Sequence, residues 1–369
     1  MMKAKLKLAS FALLASVMVF TGCGSPGTNS NTSNAGQPSQ GAAEKTESKQ
    51  VTQLTFSEPV RVLSFAPLYV AIEKGYLKEE GFDAKIVSGG GGAQVSATLI
   101  SGQAQFGVAA PQAALKSMGV GKETTVIQSI NSSLTYDIVL SNKYLEKKGL
   151  DPTKPLSLKE KVEALKGATM ATDNIGDSGD VFMRYLMELY GQNPDDLKVV
   201  KLAGRGPKIG AMKEGVIDGG INSAPFSLEA SDKNVGAQWI KTMDVPEYSN
   251  MTWELIFTMK DYAEKNEDQI VKVVRAIGKG IEFTRENPEE AASLIAKKYF
   301  DGTDEKLIQE GLKQLNGTFV GHGEMTQEAW ENAVKPMVEY SDLTGLPKEV
   351  DTTPGKFWTN KYIEEAFKN

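Results

Sequence analysis

The stretch Val60-Arg61-Val62-Leu63-Ser64-Phe65-Ala66-Pro67-Leu68-Tyr69-Val70-Ala71-Ile72-Glu73-Lys74-Gly75 opens a run to Pro111 that decides the fold. Thr52 to Leu63 alternates loosely and reads as a strand. Pro67 suits the first turn of a helix, because its missing N–H is unpaired there anyway. Gly75 ends that helix and Gly81 closes the turn after it. Phe82 to Val87 is a second strand, and Ser88-Gly89-Gly90-Gly91-Gly92 leads into a helix from Ala93 to Ser101. Gln105 to Ala109 is a third strand, followed by a helix from Pro111 to Met118. Each strand ends in a small or polar loop that opens into the next helix. This sets helix N-termini, with unpaired N–H groups, along one sheet edge. Such an edge holds a small polar molecule, so the expected activity is binding without chemistry.

The pattern continues outward. Thr124–Ser129, Tyr136–Leu140, Ala168–Thr172, Leu197–Leu202, Val216–Ile221 and Trp253–Met259 read as strands, with helices from Val162, Val181 and Lys208 between the later ones. Strands alternating with helices at this spacing predict an α/β fold of doubly wound, largely parallel sheets. The Lys-rich segment Lys143 to Lys161 reads as the crossing into a second lobe. A weak repeat relates Gly102-Gln103-Ala104-Gln105-Phe106-Gly107-Val108-Ala109-Ala110-Pro111 to Gly215 through Pro225, with one residue inserted. Two lobes built from one supersecondary unit would produce it, and so would chance in a Gly- and Ala-rich chain. Trp253–Met259 carries the chain back, and the remainder is helical and reads as packing.

The N-terminus gives an address. Lys3, Lys5 and Lys7 precede an apolar run from Leu8 to Phe20, in the range of a signal-peptide core and short for a membrane span. Thr21-Gly22-Cys23 follows. Small residues before a cysteine resemble a bacterial lipobox, with Phe20 where Leu is usual. Cys23 is the one cysteine among the 369 residues, so no intramolecular disulfide is possible, and lipidation at Cys23 is expected. Gly24 to about Gln50 is rich in Ser, Thr, Asn, Gly and Gln, lacks apolar periodicity and reads as a tether. The expected organisation is a signal peptide over 1–22, a lipidated tether over 23–50, the first lobe over 51–142, the second over 143–252, and a return to the first over 253–369. Loss of the leader leaves 38 basic against 47 acidic side chains, a balance that argues against nucleic acid as a partner.

Several motifs in order carry a resemblance. Pro67 to Gly81 closely resembles the opening of ABC-transporter solute-binding proteins of the nitrate/sulfonate/taurine and thiamine-precursor group. Ser101-Gly102-Gln103-Ala104-Gln105-Phe106-Gly107 is similar to that group's Ser-Gly-Gln-Ala-Asp-Phe-Gly, with Gln105 in place of Asp. Leu165-Lys166-Gly167 and the Gly215–Pro225 stretch resemble two further motifs, and the likeness spans about residues 55 to 300. It implies a bilobal type II periplasmic-binding-protein fold with a ligand cleft between the lobes. It also implies closure that presents the liganded form to permease subunits. The lipid would hold the domain, as a monomer, on the outer face of the cytoplasmic membrane. No cofactor is expected.

The candidate ligand residues lie on the strand-to-helix loops, each with a structural alternative. Ser64 caps a helix or touches ligand, and Phe65 is core or ligand contact. Gly90 and Gln94 belong to a run able to form an anion nest, although it lacks the Gly-Lys-Ser/Thr ending of a nucleotide loop. Ala110 and Gln112 flank Pro111 in the first copy of the repeat, and Asn222 and Phe226 flank Pro225 in the second. The resemblance places the loop with Asn174 and Ser178 at the cleft, where Asp173, Asp177 and Asp180 either disfavour an anion or merely cap. Arg205, between glycines, is suited to pair with a carboxylate, sulfonate or phosphate, or is a solvated loop residue. Trp253 stacks on a planar ligand or packs a hinge.

The catalytic inventory is thin. His322 is the one histidine, in a Gly-His-Gly turn away from the sheet edges, and no metal-ligand spacing occurs. Pyrimidine-synthesising enzymes that share the implied fold rely on a His- and Cys-rich site, which this sequence lacks. Two readings follow. One is a lipid-anchored receptor that feeds a small organic solute to an ABC importer, the solute leaning to an organic anion or a pyrimidine-like heterocycle. The other is a surface sensor or adhesin that contacts a protein.

Overall fold

The computed structural model describes residues 51–118 and 121–368; the leader, Cys23 and the tether lie outside the described residues. Ten strands run in chain order: β1 (Thr52–Glu58), β2 (Phe82–Ser88), β3 (Phe106–Ala109), β4 (Thr124–Asn131), β5 (Tyr136–Ser141), β6 (Thr169–Thr172), β7 (Lys198–Lys201), β8 (Gly219–Ser223), β9 (Gly236–Lys241) and β10 (Trp253–Met259). They form two five-stranded sheets, ordered β2-β1-β3-β10-β4 and β7-β6-β8-β5-β9. In each sheet the first three strands are parallel, and the fourth runs antiparallel to both neighbours. Each sheet is therefore mixed, and its antiparallel strand arrives directly from the other lobe.

That exchange moves an expected boundary. The second lobe does not begin at residue 143, because β5 pairs with β8 and β9 in the second sheet. The chain crosses at Ser132–Thr135, between β4 and β5, and crosses back between β9 and β10. Local pattern fixes that Tyr136–Ser141 is a strand, whereas its partners lie about eighty to a hundred residues further on. β1 ends at Glu58, short of the expected Leu63: Pro59 follows it, and a proline has no N–H for the ladder. β9, an undistinguished Gly-Ala-Gln-Trp-Ile-Lys, was not anticipated, and β8 starts at Gly219, leaving Val216 exposed.

Burial follows sheet position. β3 and β4 are buried along their whole length and β10 along all but its last residue; β3 and β10 are largely apolar, whereas β4 buries Thr124, Thr125, Gln128, Ser129 and Asn131 as well. The helix Ala66–Glu73 packs on the long helix Glu267–Glu286, outside the first sheet. One apolar cluster runs between the lobes. Within it the Trp253 ring meets Tyr136 and Phe182 edge-on, with centroids 5.6 and 5.2 Å away. The C-terminal helix Gln327–Glu339 touches the Pro111–Met118 helix of the first lobe and the Ser178–Leu189 helix of the second.

Candidate functional site

The ends of β3, β6 and β8 face one another across the lobes and enclose a cavity of about 80 Å³. It is well below the roughly 300–1,000 Å³ of pockets for drug-sized ligands, so a small solute fits it. The first lobe supplies Pro59, Val60, Val62, Phe65, Gly91, Gly92, the end of β3 and Gln112. Gly91 has φ +75°, and a Cβ there would lie 2.9 Å from Asn174 Nδ2, so a glycine lets the two lobes approach. The second lobe supplies Thr172, Asp173, Asn174, Asp177, Ser178, Asn222 and Ser223. Gln112 joins the lobes: its Nε2 donates to the Gly176 carbonyl at 2.6 Å, and its Oε1 lies 3.4 Å from Ser178 Oγ.

Of the residues expected to meet ligand, Phe65, Ala110, Gln112, Asn174, Ser178 and Asn222 line this cavity. The others do not. Ser64 is buried behind it, donating to Glu254 at 3.1 Å. Gly90 caps the Gly91–Ile100 helix with φ +83° and is exposed, as is Gln94. The anion nest is partly occupied, since the N–H groups of Gly89 and Gly91 donate to the carbonyls of Glu58 and Pro59. Phe226 is fully buried in a second-lobe cluster with Val139 and Ala171. Trp253 is fully buried, edge-on against Tyr136 and Phe182.

Arg205 does not reach the cavity either. Its Nε pairs with Glu229 at 3.2 Å, its Nη1 donates across the lobes to the Arg61 carbonyl at 2.8 Å, and its guanidinium lies over the Phe300 ring at 5.7 Å. Thr303 adds a hydrogen bond to the same Glu229 oxygen at 2.7 Å. Arg205 thus ties the lobes through the Arg61 carbonyl, held in place by an acid twenty-four residues away that its Gly-Arg-Gly setting does not announce.

The acids of the second-lobe loop have separate roles. Asp173 accepts from the buried Lys208 at 2.7 Å and from Gly204 N–H at 2.9 Å. Asp177 caps the Ser178–Leu189 helix, accepting from Thr172 Oγ1, Asn174 N–H and Asp180 N–H. Burial raises its pKa against those bonds. Asp180 pairs with Arg184 at 2.7 Å and does not line the cavity.

Glu254 escaped the sequence reading. It is 3% exposed, lines the cavity, and holds a left-handed backbone (φ +48°), a conformation that strains a residue with a side chain. The pairing of β10 with β4 runs from Trp253↔Asn131 to Leu255↔Ser129 and passes over it. No lysine or arginine pairs with it among the described residues, and burial pushes its pKa up to about 8, with hydrogen bonds from Ser64 and neighbours opposing. The available signal was an acid inside the otherwise apolar run Trp253-Glu254-Leu255-Ile256-Phe257. Tyr136, on the crossing strand, also lines the cavity and was likewise not singled out.

Comparison with known proteins gives these features a family. The chain is 24% identical over 329 residues to YtlA of Bacillus subtilis, covering 86% of this chain and 91% of that one. It is 22% identical to the Saccharomyces cerevisiae 4-amino-5-hydroxymethyl-2-methylpyrimidine phosphate synthase THI5, over 80% and 83% of the two chains. The fold matches the periplasmic nitrate-binding protein NrtA of Synechocystis PCC 6803 with a TM-score of 0.67 at 17% identity, over 86% and 88% of the chains. The expected bilobal periplasmic-binding-protein architecture is therefore present. The model of the family described as NMT1/THI5 like matches residues 63–291, most of the two lobes, and the chain belongs to that family.

Proposed function

We propose that this protein is the extracytoplasmic solute-binding component of an ABC importer, taking one small solute between its lobes and handing it to the permease. The observation that carries this reading is the cavity itself. It lies where strand ends of two sheets meet, takes its lining from both lobes, and is bridged by Gln112. Such a site changes shape when the lobes separate, which links occupancy to a conformation a permease can read. Binding is preferred over catalysis because the lining contains no histidine or cysteine among the described residues, and His322 stacks on Phe367, with ring centroids 3.6 Å apart. Yeast synthases of the family share only about a fifth of their residues with this chain.

The rest of the assignment extends the same reading. Cys23 carries the lipid, residues 24–50 tether the domain, and the lobes work outside the cytoplasmic membrane. Labelling cells with a palmitate analogue is expected to tag the wild-type chain and to leave Cys23→Ser unlabelled; equal labelling would remove the anchor. For the receptor itself, thermal shift across panels of amines, amidines, pyrimidines, sulfonates and carboxylates is expected to show stabilisation by members of one class. A folded protein that responds to none, and carries no small molecule through purification, would contradict the import reading.

A further inference from the structure

Among the described residues, the cations beside the cleft are occupied. Arg61 pairs with the buried Glu58 at 2.9 Å and lies over the Tyr69 and Tyr299 rings. Arg205 is held by Glu229, and Lys208, fully buried, is held by Asp173 and the Ile221 carbonyl. None of the three lines the cavity, and among the described residues no other lysine, arginine or histidine does. Three carboxyl groups do line it. Asp173 has its lysine and Asp177 has its helix N-terminus, a partial positive charge. Glu254 has neither. It meets the cavity from β10, opposite the second-lobe loop, without a cation to balance it.

We infer that the solute is a small organic cation whose charged nitrogen sits against Glu254. This rests on the reading of the cleft as a solute site and specifies what that site accepts. A buried carboxylate without a counter-charge is costly, and a cationic ligand supplies the missing partner. An anion such as nitrate or a sulfonate would meet acids and no free cation. A metal ion does not fit the geometry, since no three His, Cys, Asp or Glu side chains come together to hold one among the described residues. The other titratable groups facing Glu254 are Tyr136, whose hydroxyl is held protonated by burial, and Asp173 and Asp177 across the cleft. Cation binding ionises Glu254, so it releases a proton near neutral pH.

The test uses three planar ions and molecules of nearly one shape: guanidinium, urea and nitrate. These are titrated into the purified wild-type protein and Glu254→Gln by calorimetry, beside a thermal-shift panel of larger organic cations, neutral amides and organic anions. The expected result is binding by cations at least tenfold tighter than by their neutral counterparts. A comparison of two buffers at pH 7 should show close to one proton released, and Glu254→Gln should lose at least tenfold in cation affinity together with the proton release. The variant's folding is checked by its thermal unfolding. Nitrate or other anions binding more tightly, or cation binding unaltered in Glu254→Gln, would overturn the charge assignment and leave the receptor reading standing. Silence across all three classes would overturn the receptor reading, and this inference with it.

Discussion

The two jaws of the cleft share a backbone plan and differ in what they present. Both deliver a strand, small residues and an Ala-Pro step into a helix, at Ala109-Ala110-Pro111 and at Ser223-Ala224-Pro225. The first jaw offers Pro59, Val60, Val62, Phe65 and glycine backbone, so its contribution is mainly shape. The second offers hydroxyls, amides and carboxyls. The exceptions on the first side are Gln112, which reaches across to the second jaw, and Glu254, which stands on the strand that has just crossed back. A repeated unit thus builds the frame, while discrimination comes from the second jaw's loops and from the crossing strand. Each sheet's antiparallel strand brings one polar side chain to the cavity, Tyr136 from β5 and Glu254 from β10.

The largest effect is expected on the first jaw. If that jaw supplies shape through glycine, Gly91→Val should be the most damaging change. Its backbone has φ +75°, which costs a side chain about 1–2 kcal/mol, and the added carbons run into Asn174. Solute affinity should fall by roughly 30-fold or more through the combined strain and clash. Affinity within a few fold of wild type would show that the jaws do not close on this glycine.

Glu254→Gln sharpens the contrast by pH. Below about pH 4.5, the ordinary value for glutamate, the carboxyl is protonated in folded and unfolded chains alike, and the substitution should change stability little. As pH rises toward 8 the unfolded chain ionises while the folded one resists, so wild-type stability falls. The variant should then be more stable by an amount on the order of 2–4 kcal/mol at pH 8 in the absence of solute. Equal denaturation midpoints for the two proteins from pH 4 to 8 would remove the strain assigned to this carboxyl.

Arg205→Ala probes the tie outside the cavity. It leaves Glu229 buried beside an empty partner and removes a bond to the Arg61 carbonyl, which should destabilise the protein by about 1–3 kcal/mol. Affinity should drop less than tenfold, through closure alone. A much larger loss with unchanged stability would return Arg205 to the ligand. Gln112→Ala is the mildest change, removing the short hydrogen bond to the Gly176 carbonyl and the long one from Ser178, together about 1 kcal/mol, or about fivefold in affinity. It should lower affinity with every solute alike, and a solute-dependent effect would make Gln112 a selectivity residue.

The fold was legible because its elements are local: Trp253–Met259 is a strand in sequence and in structure, and the glycine stops at Gly75, Gly102 and Gly215 fall where expected. Pairing between distant segments was not legible. Nothing near Tyr136 says that its strand joins the second sheet, and nothing near Arg205 names Glu229. Loop position, read through the family resemblance for Asn174 and Ser178 and through the repeat around Pro225 for Asn222, found these three residues. It missed Glu254, which lies inside a strand and reaches the cavity through an unusual backbone angle. An acid in an apolar strand was the signal, and it reads as functional only once burial without a counter-charge is known.

The most direct measurement is native mass spectrometry of the protein purified without added ligands, followed by denaturing release of any adduct. One small compound per chain is expected, bearing a protonatable or permanently charged nitrogen, present with the wild type and lost with Glu254→Gln. An anionic adduct retained equally by both proteins would contradict this.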